Sequence, residues 1–201
     1  MLQSKADLIF HEEPHRYQFK ETWIPFSVTG ICSHDLCPKV KERIFSTISE
    51  WQPRGHAVHA ALEAFLKREE ADVDPKWMPW VEPLLDHPCW SKYDAVGVEL
   101  RMVSRDLYYA GSLDALLTDG DKVVLVDLKT KSSKKSRMSD HRRQMGAYVH
   151  MLEVNFGVFV DKCVILAAKP GAVDQAIYDP SDCYEQWHAC LEEFKSKQPD
   201  F

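Results

Sequence analysis

Asp127 and Lys129 are the first residues in this chain whose types and spacing suggest chemistry. They stand two apart in VVLVDLKTK, an apolar run that ends in an acid and a base. In a strand, residues two apart point to one face, roughly 7 Å apart along the chain. The two side chains are therefore aimed together from the end of what reads as a buried strand. At a solvated strand end such a pair is a surface ion pair worth little. At a site, the acid can hold a metal while the base works on an anion.

Other residues of matching chemistry surround this pair in the sequence. GHAVHAALE places His59 and Glu63 one helical turn apart, so both project in one direction. Glu99 lies on the polar face of VGVELRMV, opposite Val98, Leu100 and Met102. Asp114 sits amid apolar residues in GSLDALL, where an acid is costly unless it is paired or bound to a metal. Gln144 and Tyr148 are four apart on a predicted helix. Taken singly, each has a plain structural role: His59 as packing or surface, Gln144 and Tyr148 as a helix pair with the ring in the core. His56 is a nearby competitor to His59.

The elements that must position these groups are legible from periodicity. Residues 7–29 alternate loosely and carry Pro14 and Pro25, which predicts a short hairpin or two edge strands. A helix is expected from Lys39 to Trp51, broken by Pro53. A stronger one follows in RGHAVHAALEAFLKREE, with Gly55 at its start and Val58, Leu62, Phe65 and Leu66 as its apolar stripe. Residues 72–89, rich in Pro and Trp, predict an irregular or helical excursion. VGVELRMV, YYAGSLDALL and KVVLVDLKT then read as strands, the last two joined through the Asp-Gly hairpin signal of TDGD. SDHRRQMGAYVHMLEV predicts a helix capped by Ser139 or Asp140. KCVILAAK follows as a strand parallel to KVVLVDLKT, since a helix crosses between them. AVDQAIY adds an edge strand, and SDCYEQWHACLEEFKSK is an amphipathic C-terminal helix. The expected fold is α/β, a mixed central sheet flanked by helices.

The ordered set Gly55–His59–Glu63, Glu99, Gly111–Asp114, Asp127–Lys129 and Gln144–Tyr148 resembles the RecB-like branch of the PD-(D/E)XK nuclease superfamily. The likeness covers roughly residues 54–168, and the helix, three strands, helix, strand order matches that restriction-endonuclease-like core. HRYQFKETWIPFSVT is similar, less specifically, to the N-terminal hairpin of phage and bacterial members. The GxxxH spacing selects His59 over His56. The resemblance implies that Asp114 and Asp127 bind Mg²⁺ or Mn²⁺, with the Leu128 carbonyl as a further oxygen ligand, since hard divalent ions prefer oxygen. His59 completes that set and favours Mn²⁺. Lys129 orients or helps deprotonate the attacking water and stabilises charge on the phosphate. Gln144 and Tyr148 position the scissile strand or the water, and Glu63 and Glu99 are accessory groups. Many RecB-like nucleases hold an iron–sulfur cluster through one early cysteine and three late ones. Here Cys183 and Cys190 are seven apart and no CxxC exists, so no cluster is expected.

Bulk properties bound this reading, and the net charge at first argues against a nucleic-acid partner. The chain has 201 residues, enough for one domain with a sizeable core. The expected organisation is a single nuclease domain over 1–201, with an N-terminal hairpin region (1–38), a catalytic core (54–168) and a C-terminal helix (180–197). No apolar run is long enough to span a membrane, and the first residues show no basic-then-apolar leader. Six scattered cysteines then read as reduced thiols, and the expected location is the cytoplasm, or a host's cytoplasm if the gene is phage-borne. The formal net charge is −6. Between Lys129 and Arg143 lie seven Lys or Arg and one acid, a local charge of +6 that leaves −12 for the remainder. An acidic protein with one cationic strip can hold a polyanion there. Lys131, Lys134, Lys135, Arg137, Arg142 and Arg143 are the candidate DNA contacts, and Tyr108, Tyr109 or Trp51 candidate base stackers. The expected activity is a metal-dependent DNA nuclease, an exonuclease on DNA ends or single strands in recombination, repair or replication. The competing readings are a DNA-binding module of the same fold without catalysis, and a metal hydrolase acting on RNA or another phosphate ester. Oligomeric state is not legible.

Overall fold

The computed structural model describes residues 1–13 and 16–198. Strands β1 (Leu8–His11), β2 (Arg16–Phe19) and β3 (Thr22–Trp23) form a small antiparallel sheet, one strand more than the predicted hairpin; Pro14 lies outside the described residues. Leu8, Tyr17 and Ile24 pack it onto the main body against Val103 and Ala110. Strand β4 (Phe26–Ser27) then joins the main sheet and leads into α1 (Val28–Cys32), whose cap Ser27 accepts the Gly30 N–H.

Helices α2 (Pro38–Ser46) and α3 (Ile48–Lys67) meet at Thr47. This corrects the expected break at Pro53, which α3 carries inside its second turn. A proline there removes one helical hydrogen bond, but Val58, Ala61 and Leu62 are buried on the same helix and hold it. Gly55 is consequently interior rather than initial. The Pro- and Trp-rich stretch resolves into a 3₁₀ turn (Pro75–Trp77), α4 (Met78–Leu85) and α5 (Cys89–Lys92).

The strands β5 (Asp94–Ser104), β6 (Tyr109–Thr118) and β7 (Val123–Thr130) form the antiparallel block. Helix α6 (Arg142–Phe156) crosses to β8 (Lys162–Lys169), which lies parallel to β7 as expected, and β9 (Ala172–Tyr178) closes the edge. Helix α7 (Pro180–Ser196) ends the described chain. The fold is thus a mixed sheet flanked by helices. One face carries α6 and α7, whose Met145, Met151 and Trp187 share a core with Leu125 and Ile165; the other carries α3 and α4 over Val126, Leu128, Val164 and Leu166. No helix among the described residues is long and apolar enough to cross a membrane.

Two glycines show how tightly the helices sit. A Cβ on Gly146 of α6 would lie 2.0 Å from the Cys183 carbonyl oxygen on α7, whereas one on Gly55 would meet nothing nearer than Thr130 Oγ1 at 3.9 Å. Gly146→Ala is therefore expected to cost about 1–3 kcal/mol by overpacking, and Gly55→Ala to stabilise by about 0.5–1 kcal/mol through helix propensity. Urea unfolding of both variants measures the contrast, and equal effects would contradict it.

Candidate active site

The site forms where the sheet opens. β6 and β7 pair only from Ala115–Val126 to Thr118–Val123, and β4 pairs with β6 only at Tyr109 and Ala110. Residues 111–114 of β6 therefore have no described strand on that edge. Asp114 fills the gap: its Oδ2 accepts the Leu128 N–H at 2.5 Å. The N–H and C=O of one strand residue point the same way, so the Leu128 carbonyl turns toward the same opening.

The strand itself is distorted at this point. Leu113 packs into the core beneath α6 and Ala115 into the core beneath α3, although residues two apart in a regular strand share a face. Opposite, β5 pairs Val98 with Ala115 and Leu100 with Leu113, leaving Glu99 across from Asp114. Glu99 has φ 46, a left-handed backbone that a non-glycine residue adopts at a cost of about 1–3 kcal/mol. Such strain persists where the surroundings enforce it, often at functional sites. Gly111 leaves room for the partners of this region, since a Cβ there would meet Val28 Cγ2 at 2.8 Å and the Tyr148 ring at 3.0 Å.

Helix α3 brings His59 over the gap, with Nδ1 3.2 Å from Asp114 Oδ1. His59, Glu99 and Asp114 each offer one ligand atom, and these atoms all lie within 4.8 Å of one another. One imidazole nitrogen and two carboxylates suit a hard divalent cation. Asp127 is buried and stands outside this group, with its Oδ2 2.6 Å from Lys129 Nζ in an ion pair.

The electrostatics follow from crowding acids in a dry gap. Burial raises Asp114, but His59, Lys129 and the Leu128 N–H outweigh it and hold the carboxyl below its usual range. Burial opposes charge on His59, yet Asp114 lifts the imidazole to about 9. Burial, reinforced by Asp114, pushes Glu99 up to about 7. Burial likewise takes Asp127 to about 6 against the pull of Lys129. Burial weighs against the Lys129 ammonium, but Asp127 and Asp114 more than compensate and keep it charged. Lys129 is thus a fixed positive charge rather than a proton acceptor in this arrangement.

The remaining predicted residues divide. Gln144 Nε2 donates to the Tyr148 hydroxyl at 2.9 Å, and burial, with Asp127 second, keeps that phenol protonated. Glu63, half-buried, is paired with Lys67 at 2.5 Å and adds its like charge to the surroundings of Glu99. In the basic strip, Arg142 is bound to Asp140 and Arg143 to Asp35, while Lys131 Nζ donates to Ser139 Oγ. Lys134, Lys135 and Arg137 are exposed. Tyr109 is not a stacking residue: it is fully buried and bonded through its hydroxyl to His150 Nδ1 at 2.6 Å. Tyr108 and Trp51 are exposed. The helix cap is His141, with Asp140 accepting the Arg142 N–H beside it. His141 is the group that sequence reasoning missed. Its Nε2 is buried without a partner, and burial together with Lys129 and Lys131 drives its pKa down to about 4. Nothing in the basic run around it signals that position.

A mixed sheet opened at an acidic gap, with a lysine two residues beyond a buried aspartate, is an arrangement that suits a divalent cation beside an anion. The PD-(D/E)XK nuclease superfamily model matches residues 39–198, and the chain belongs to that superfamily. The solved structure of SSO0001 is similar in fold, at TM-score 0.51 and 17% identity, covering 87% of this chain and 77% of that one. No curated protein matches the sequence.

Proposed function

We propose that this chain is a RecB-like deoxyribonuclease that uses Mg²⁺ or Mn²⁺ and acts as an exonuclease on DNA ends or single strands, with residues 54–168 as its catalytic core. The observation that carries this reading is the convergence of His59, Glu99 and Asp114 within 4.8 Å, beside the Asp127–Lys129 pair. When bound, a divalent cation supplies Lewis-acid polarisation and makes water a nucleophile near neutral pH. His59, Glu99 and Asp114 would hold it, and the Asp127 carboxylate and the Leu128 carbonyl would be the further oxygens available to it. Lys129 places a permanent charge where negative charge grows on the phosphate, in a site drier than water. Tyr148, kept protonated, is a hydrogen-bond donor oriented by Gln144. Lys134, Lys135 and Arg137 offer unpaired charge to the DNA backbone on the exposed loop. Glu63, tied to Lys67, is the weakest member of the expected set.

The test is degradation of end-labelled single-stranded DNA, duplex DNA and RNA, each linear and circular, with Mg²⁺, Mn²⁺ or chelator. The expected result is metal-dependent loss of linear DNA with circular DNA spared. Cleavage that persists in chelator would sink the assignment, and preferential loss of RNA or of circles would replace the DNA exonuclease by another nuclease. Ligation by an imidazole and two carboxylates also requires their deprotonation, so metal affinity should rise from pH 6 to pH 8.

A further inference from the structure

We infer that Arg54, on α3 five residues before His59, is a phosphate clamp for the substrate strand; the inference rests on the nuclease reading. Arg54 is 8% exposed, and its Nε is buried with no hydrogen-bond partner. No described carboxylate pairs with it, and burial lowers its pKa with only Glu50 in partial compensation. Its guanidinium instead lies over the Trp80 ring, 5.6 Å from the centroid. Trp80 is itself fixed, because its Nε1 donates to the Lys131 carbonyl at 2.7 Å. An arginine held over an aromatic ring, with no described partner for its fork, is pre-organised for bidentate binding of a phosphate. A buried guanidinium without a counter-charge is otherwise unfavourable, and an incoming phosphodiester supplies that charge.

Arg54 precedes His59 by five residues, about 7.5 Å along the helix axis and about 140° around it, so it flanks the face that carries His59. Gly55 follows it, and no packing demands a glycine there, since a Cβ would have 3.9 Å of clearance. A glycine inside a helix is destabilising, and one use of it is close approach of a ligand to the backbone. Gly55 also faces Thr130, the last residue of the strand that carries Asp127 and Lys129. Through Trp80 and Thr130, the guanidinium and the bare backbone thus both adjoin the start of the basic loop at Lys131.

Arg54→Met and Arg54→Lys, each in wild type and in a Lys129→Ala background that preserves substrate, test the clamp. The Met side chain keeps the packing on Trp80 without the charge, and Lys keeps the charge without the fork. Binding of a single-stranded oligodeoxynucleotide to the background protein should weaken about tenfold or more with Met. The log–log salt slope should shrink by about 0.7 with Met and hold with Lys, which still loses affinity. In wild type, KM should rise more than kcat falls, and the melting temperature of the Met variant should hold or rise. Unchanged oligonucleotide binding in both variants, in a protein that cleaves DNA, would overturn the clamp alone. Weakened binding in a protein whose wild type cleaves no nucleic acid would keep the clamp and remove the nuclease reading. No oligonucleotide binding by the parent protein would overturn both.

Discussion

Asp127→Asn is expected to lower cleavage by on the order of a thousandfold while making the metal-free protein more stable at pH 8. The two effects share one cause, a carboxylate buried ahead of the cation it serves. In the folded chain its pKa stands at about 6, against about 3.9 for an unperturbed aspartate. A carboxyl raised by folding favours the native state fully below the unfolded value, and that contribution is lost as pH rises through the folded value. Above pH 6 the native state therefore carries an ionised group at a cost, even with Lys129 beside it. Asparagine cannot ionise, so the gain at pH 8 should be a few kcal/mol at most, on the order of the shift, and should vanish near pH 4. Lys129→Ala makes the contrast: it should lose comparable activity but also lose stability at pH 8, because it leaves the buried carboxylate without its partner. Thermal melts in chelator at pH 8 and pH 4.5, beside initial rates with Mn²⁺, check both. A lower melting temperature for Asp127→Asn at pH 8 would mean that the ion pair outweighs burial and that the site stores no such penalty.

Much of this site was legible because its parts sit on strongly patterned elements. The four apolar residues before Asp127 and the run in KCVILAAK define two parallel buried strands, and the crossover helix between them follows from chain connectivity. Local rules failed where tertiary packing prevailed. Pro53 reads as a breaker, yet burial of Val58, Ala61 and Leu62 carries α3 across it. Tyr109 reads as a surface aromatic beside Tyr108, yet it opens β6 and turns into the core, while Tyr108 stays exposed in the preceding turn at φ 50. Charge counting overstated the basic strip, because Asp35 lies 108 residues from the arginine it holds. Backbone geometry is the part that composition and spacing do not encode. The pleat change at Asp114 and the positive φ at Glu99 decide which acids converge, and neither has a signature in VGVELRMV or GSLDALL.

Glu99→Gly should separate the two costs that the structure places on that residue. Its φ of 46 strains any residue with a Cβ, and glycine adopts it freely. Its carboxyl, lifted to about 7 by burial and by Asp114, is ionised at pH 8 against a like charge. Glycine relieves both, so the metal-free protein should gain about 1–3 kcal/mol at pH 8, reduced by the entropy that glycine adds to the unfolded chain. Glu99→Gln keeps the strained backbone and relieves only the charge, so its gain should be smaller and should disappear by about pH 4.5. Both variants should bind Mn²⁺ about tenfold or more weakly, since each removes one of the three groups that converge on the gap. His59→Ala serves as the reference, and should weaken Mn²⁺ more than Mg²⁺ because an imidazole nitrogen suits the softer ion. Calorimetric titration with each cation at pH 8, paired with melts in chelator, reads both quantities on the same samples. A Gly variant that is less stable than wild type would show that the backbone at 99 is unstrained. Unchanged Mn²⁺ affinity in both variants would remove Glu99 from the metal site and leave Asp114, Asp127 and His59 to hold the cation.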